Sequence, residues 1–150
     1  MERYRSYMEQ ALELAREAAS RGDVPVGALV IRDGVVVGRG CNRREQDCDV
    51  TAHAEVLALK EACKTLGTWK LQDCTLVVTL EPCPMCAGAI LNARVGTVVF
   101  GARDPDFGAV GGVLNLFEEG FPHRPRVYGG LMAEQCAEPL RQFFAGMREA

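Results

Sequence analysis

The sequence predicts a single α/β domain in which helices and strands alternate along one continuous chain. Its 150 residues, of which 48% are hydrophobic, are enough for one ordinary domain with a substantial buried core. Segments with helical spacing of apolar residues alternate with short β-branched runs. Because no linker, repeat or low-complexity tract interrupts them, residues 1–150 are interpreted as one α/β layer system.

The first half of the chain predicts a helix and a hairpin. Apolar residues follow helical spacing from Tyr4 to Ala19, so we expect a first helix that ends before Gly22. Two β-branched runs, at about Pro25–Ile31 and Val35–Cys41, flank the dipeptide Asp33-Gly34. That dipeptide is typical of tight hairpin turns, so the two strands should pair antiparallel.

The second half predicts three helices and three strands. Helical spacing indicates helices from about Ala52 to Leu66, from Pro82 or Pro84 through Leu91, and from Cys136 to Met147, where Pro139 marks either a kink or a late start. The predicted strands are Thr75–Leu80, Gly96–Gly101 and a short one at Arg126–Tyr128.

Three potential metal ligands and one carboxylate indicate chemistry. Cys83 and Cys86 are spaced three apart, and His53 lies about thirty residues before them. Three protein ligands leave the fourth tetrahedral position of Zn²⁺ open for water, and two thiolates with a neutral imidazole preserve its Lewis acidity. Glu55 could accept the proton of such a water and pass it to a leaving group. These residues therefore predict a catalytic, hydrolytic zinc centre.

The chain between these residues has the right length to bring them together. The helix predicted after His53 and the strand that returns to Cys83 each span roughly 20 Å. His53 and Glu55 do not share a helix face, so they can converge only at a helix N-terminus, whereas Cys83 and Cys86 share one face of the next helix. We expect two helix N-termini to meet at the metal, where their dipoles favour thiolates.

The chain combines two short motifs, His53-Ala54-Glu55 and Pro82-Cys83-x-x-Cys86. Together they match the signature of zinc nucleobase deaminases. With the wider segments Val24–Ala28, Thr51–Glu55, Leu80–Ala89 and Val99–Asp104, the chain resembles the bacterial tRNA-specific adenosine deaminases of the zinc cytidine/deoxycytidylate deaminase superfamily. The resemblance extends from about Met8 to Met147.

The resemblance implies hydrolysis of adenosine to inosine at the wobble position of a tRNA anticodon, with a tRNA anticodon stem-loop as the partner. It implies one Zn²⁺ per subunit bound by His53, Cys83 and Cys86, with Glu55 as proton shuttle and Asn42 bound to the flipped base. It also implies a cytidine deaminase-like mixed five-stranded sheet with helices on both faces, and a homodimer. The further substrate contacts that it implies are Val26, Ala54, Pro82 and Asp104.

Composition sets wider limits on location and partners. The chain has seven cysteines, an odd number, and begins Met1-Glu2-Arg3-Tyr4 without an apolar signal region, so we expect a reducing cytoplasm. No stretch reaches membrane-spanning length, so no membrane partner is expected. The net charge of −3 is not the footprint of a strongly basic nucleic-acid binder, although arginines could form a local positive rim.

Two other functions fit the same residues. One is a deaminase of a free base or nucleoside, of the guanine or cytosine type, built on the same centre. The other, of a different class, is a non-catalytic zinc module or thiol redox protein that uses Cys83 and Cys86. The size of the substrate distinguishes the first alternative from a tRNA deaminase. Metal-dependent release of ammonia distinguishes any deaminase from the second alternative.

Overall fold

The structure is a computed structural model that describes residues 1–149, with side chains described through residue 147. The helices are α1 (Arg5–Ser20), α2 (Arg44–Asp47), α3 (Ala54–Leu66), α4 (Pro84–Ala93) and α5 (Ala133–Glu149). The strands are β1 (Gly27–Arg32), β2 (Val35–Cys41), β3 (Cys74–Leu80), β4 (Thr97–Ala102) and β5 (Arg126–Gly129). Two 3₁₀ helices lie at Glu2–Tyr4 and Leu116–Glu118. In the part of the chain so described, no helix combines the length and the apolar character that crossing a membrane requires.

The five strands form one mixed sheet in the order β2-β1-β3-β4-β5. β1 is antiparallel to both β2 and β3, whereas β3, β4 and β5 run parallel. The register places Gly27 opposite Cys41, and Leu80 beside Ala102. The start of β1 and the ends of β2, β3 and β4 therefore lie at one end of the sheet, which we call the site end. The predicted five-stranded mixed sheet is confirmed.

Helices cover both faces of the sheet, because neighbouring strand residues point to opposite sides. Ala28 and Val30 belong to a buried cluster that includes residues of α3 and α4. Leu29 and Ile31 belong to a second buried cluster, with residues of α1 and α5. The near-continuous apolar run of β1 is thus the expected composition of a strand buried on both faces.

Glycines in β2 determine how closely α3 approaches the sheet. A Cβ atom at Gly40 would lie 2.3 Å from the carbonyl oxygen of Ala54, and one at Gly38 would lie 2.2 Å from that of Ala58. The backbone of α3 therefore lies directly on β2, with the first turn of the helix at the site end. Larger side chains at these glycines would push that turn away from the sheet.

The short helix α2 was not predicted, and two predicted helices begin at other residues than expected. α3 begins at Ala54, two residues after the predicted start, because His53 has an extended conformation and serves as its N-cap. α5 begins at Ala133 and continues through Pro139, so the late start is wrong. The first turn of α5 is stabilised by Cys136, which is 1% exposed. Its sulfur packs tightly on Gly101, because a Cβ atom at Gly101 would lie 2.3 Å from that sulfur.

Candidate metal centre and active site

Two helix N-termini bring the three predicted metal ligands together at the site end. His53 is the N-cap of α3, and Cys83 is the N-cap of α4. Cys86 lies in the first turn of α4 and is fully buried. Pro84, the first residue of α4, suits this position because it lacks an N–H that the first turn would leave unpaired.

The three donor atoms have separations that suit one tetrahedral ion. The Nδ1 atom of His53 lies 3.6 Å from Cys83 Sγ and 3.5 Å from Cys86 Sγ. Zinc bonds of about 2.3 Å to sulfur and about 2.0 Å to nitrogen, at a tetrahedral angle, place such atoms about 3.5 Å apart. Among the residues described, His53, Cys83 and Cys86 are the group of potential metal donors whose ligand atoms all lie within 4.8 Å of one another. The group could hold a metal ion.

The pKa values of the two thiols shift in opposite directions. The hydrogen bond from Cys86, assisted by His53 and opposed by burial, lowers the pKa of Cys83 to about 4. The same bond to Cys83, together with burial, raises the pKa of Cys86 above its ordinary value. Because a metal binds thiolates, loading the site would release the Cys86 proton.

Glu55 is a buried carboxylate in the first turn of α3. Glu55 is only 4% exposed. Desolvation by this burial raises the pKa of its carboxyl group from 4.5 to about 7. A group with such a pKa exchanges protons readily near neutral pH, which suits a general acid and base. Its position beside the three donors therefore gives it a chemical use that a surface carboxylate would lack.

Asn42 follows β2 at the site end and is held by its neighbours. Its Nδ2 donates to the carbonyl of Val24 at 3.3 Å, and its Oδ1 accepts from the backbone N–H of Arg44 at 3.2 Å. An amide has two N–H groups and two acceptor lone pairs, so one of each is still available. The fixed amide can present both to a ligand in the adjoining cavity.

A cavity of about 710 Å³ opens above these residues, within the range usual for ligand sites. Of the residues implied by the resemblance, it is lined by Val26, Asn42, His53, Ala54, Glu55, Cys83 and Asp104. Cys86 is buried behind this lining. Pro82 is also buried and does not line the cavity, and its carbonyl oxygen accepts a hydrogen bond from Ala109 N–H at 2.9 Å.

Glu81 organises the loop that follows β4 (residues 103–115, here loop 103–115), and it was not among the predicted site residues. One carboxylate oxygen accepts from the N–H of Asp104 at 3.1 Å, and the other accepts from Val110 at 3.0 Å and Gly112 at 2.8 Å. Glu81 is 2% exposed. The signal available in the sequence was a charged residue between a buried strand and the first cysteine.

The mouth of the cavity contains further residues that the sequence did not single out as ligand contacts. Two arginines, Arg44 and Arg103, line it together with Asp106. Two phenylalanines also line it, although Phe107 is 68% and Phe144 is 42% exposed. The sequence gives no signal for these two phenylalanines. Only the fold shows that Phe107, in loop 103–115, and Phe144, in α5, reach the mouth of the cavity.

The chain is similar over most of its length to known deaminases. The family model of MafB19-like deaminases matches residues 2–133. A tRNA-specific adenosine deaminase of Bacillus subtilis is 47% identical over 95% of this chain and 89% of its own length. Other relatives are longer: the chain spans 24% of a Deinococcus radiodurans tRNA(Ile)-lysidine synthase to which it is 54% identical.

Solved structures place the chain in the same group. One, from a study of A-to-I editing by tRNA:A34 deaminases at the wobble position of transfer RNA, superposes with a TM-score of 0.87 at 45% identity and covers 90% of this chain and 99% of its own. A guanine deaminase of Nitrosomonas europaea has a TM-score of 0.81 at 29% identity, over 92% of this chain and 82% of its own. The fold is thus shared with a guanine deaminase as well as with a tRNA:A34 deaminase. The near full-length similarity to tRNA-specific adenosine deaminases shows that the chain belongs to the tRNA-specific adenosine deaminase family.

Proposed function

We propose that this chain hydrolyses adenosine to inosine at the wobble position of a tRNA anticodon. Water supplies the oxygen that replaces the 6-amino group, and the amino group leaves as ammonia. The observation that carries the proposal is the three-donor group of His53, Cys83 and Cys86 beside the buried Glu55. It lies in a chain that is 47% identical to a tRNA-specific adenosine deaminase over nearly its whole length.

His53, Cys83 and Cys86 would bind one Zn²⁺ per subunit, in agreement with the separations of their donor atoms. A Zn²⁺ ion bound there would act as a Lewis acid that makes water nucleophilic near neutral pH. Three protein ligands, rather than four, leave room for that water. The donor set, two sulfurs and one nitrogen, suits Zn²⁺ rather than Mg²⁺ or Ca²⁺, which prefer oxygen.

Glu55 would move the protons of the reaction. Its carboxylate accepts one proton from the attacking water and delivers it to the ring nitrogen of the adenine. It then takes the proton of the new hydroxyl group on C6 and delivers it to the amino group, which leaves as ammonia. The raised pKa of Glu55, about 7 because of burial, lets the same group accept and donate near neutral pH.

The remaining residues would bind and orient the base. Asn42 presents its second N–H and its second lone pair to the flipped adenine. Val26 and Ala54, 7% and 0% exposed, provide apolar walls. Pro82 would act from behind the lining by fixing Cys83, and Asp104 would contact the anticodon near the target.

We also propose that the protein works in the cytoplasm as a homodimer. All seven cysteines are free within the described residues, which agrees with a reducing compartment. The homodimer rests on the resemblance to the family. Sedimentation of the purified protein would test it, with a mass of one chain contradicting a dimer.

Inosine formation in an anticodon stem-loop tests the proposed function. We expect zinc-dependent turnover of a wobble adenosine, detected as inosine after digestion to nucleosides, and no turnover when that adenosine is moved into the stem. Raising the salt concentration should weaken activity, because phosphate contacts release counterions. An inert stem-loop together with rapid ammonia release from free guanine or cytidine would instead indicate a free-base or nucleoside deaminase. Reversible oxidation of Cys83 and Cys86 without bound metal or turnover would indicate a thiol redox protein.

A further inference from the structure

Phe107 is an exposed aromatic residue at the mouth of the catalytic cavity. Its 68% exposure leaves most of an apolar ring in water, although it lines the same cavity as His53 and Glu55. Aromatic side chains are common contacts for the ligands of such cavities. The ring of Phe107 is therefore accessible to a ligand that enters this cavity.

The backbone that carries Phe107 is fixed. Asp104 Oδ1 accepts from the N–H of Asp106 at 3.0 Å and of Phe107 at 3.1 Å, and the Asp104 carbonyl accepts from Gly108 at 2.9 Å. Glu81 holds both ends of the same loop through its three backbone hydrogen bonds. The ring is thus presented on an ordered loop, which reduces the entropy lost when a ligand covers it.

The proposed RNA substrate supplies a group that can cover the ring of Phe107. When one nucleotide of an RNA inserts its base into the cavity, the nucleotides on both sides must remain at the mouth and lose a stacking partner. Aromatic side chains replace such stacking regardless of base identity. We propose that Phe107 stacks on the base next to the target adenosine, an inference that rests on the proposed function.

Charge at the mouth favours stacking as a source of affinity. Arg44 and Arg103 line the cavity, but so do Asp104 and Asp106, so these four formal charges cancel. Electrostatic attraction from this rim is therefore weak, and an apolar contact that does not depend on salt becomes correspondingly important. The ring of Phe107 is the most exposed aromatic surface at this mouth among the described residues.

Kinetics of the zinc-loaded protein on an anticodon stem-loop test the inference. Phe107→Ala should raise KM about 5- to 150-fold and leave kcat and zinc content unchanged, with the same factor at low and at high salt. Phe107→Tyr should retain wild-type KM, and Phe107→Leu should not, because stacking needs an aromatic face. Phe121→Ala is the matched control, since Phe121 is 51% exposed and does not line this cavity.

Stem-loops that lack the base on the 5′ or the 3′ side of the target identify the contact. One of these two abasic substrates should raise the KM of the wild-type protein. The same substrate should not raise the KM of Phe107→Ala any further, because the ring and the missing base are the two partners of one contact. Absence of coupling with both substrates, or a wild-type KM for Phe107→Ala, would overturn the inference while leaving the proposed function intact. A change of molecular mass in Phe107→Ala would assign the ring to a subunit interface and overturn it too. A wild-type protein inert towards the stem-loop would overturn both.

Discussion

At the scale of single residues, Glu55 is where stability and chemistry conflict. Burial in the first turn of α3 excludes water from its carboxylate, which raises its pKa to about 7. The same burial makes the ionised form costly in the folded protein. A residue kept at such a cost is best explained by a reaction that needs it, since apolar or amide side chains would fill the site more cheaply.

Replacing Glu55 with Gln should therefore stabilise the metal-free protein at high pH. Because the folded-state pKa of about 7 exceeds the ordinary value of 4.5, the folded wild-type binds the extra proton, and its stability falls as pH rises through this window. We expect Glu55→Gln to lack that fall and to gain up to about 3 kcal/mol at about pH 8. Urea unfolding at about pH 8 and about pH 4 measures the difference. Parallel pH profiles for the two proteins would contradict the assigned burial cost.

At the scale of elements, the site depends on where helices and loops begin. α3 and α4 place the three candidate ligands at their N-caps and first turns, so both helix starts must lie at the site end for the proposed centre to form. Gly40 allows α3 to approach β2 there. Glu81 links the start of α4 to loop 103–115 through three backbone N–H groups, so the candidate metal centre and the cavity mouth are mechanically connected.

Gly108→Ala tests this connection. A Cβ atom at Gly108 would lie 2.2 Å from a Glu81 carboxylate oxygen and 2.4 Å from the Asp104 carbonyl oxygen, so the loop must move. We expect the free energy of unfolding to fall by about 1–3 kcal/mol. Gly146→Ala, also inside the chain but in α5 with nothing within 4 Å of its Cβ position, should not destabilise. Urea unfolding of both variants gives the comparison, and equal stabilities would show that the loop is free to shift.

At the scale of the whole molecule, local signals predicted the elements better than their assembly. Asp33-Gly34 predicted the hairpin because a tight turn needs positive φ, which both residues have, at 51° and 76°. His53 and the two cysteines were recognisable because few residue types bind zinc. Each of these signals lies within a few residues of sequence.

The rest could not be predicted because it depends on non-local pairing. Only the parallel pairing of β3 with β4 brings the residues after Ala102 beside Cys83, so Phe107 has no local signal. The role of Glu81 depends on backbone N–H groups up to 31 positions away. Of the two alternatives for Pro139, the late helix start is wrong, because α5 begins at Ala133, where Cys136 packs on Gly101, and continues through the proline.

Zinc titration of the chelated protein shows whether turnover depends on a single metal ion. We expect inosine formation to return in proportion to added Zn²⁺ and to saturate at one ion per chain. We also expect Glu55→Gln to bind the same single ion yet to stay about 10²- to 10⁴-fold less active. Full activity in the chelated protein, or near-normal turnover by zinc-loaded Glu55→Gln, would contradict a three-ligand metal centre served by this carboxylate.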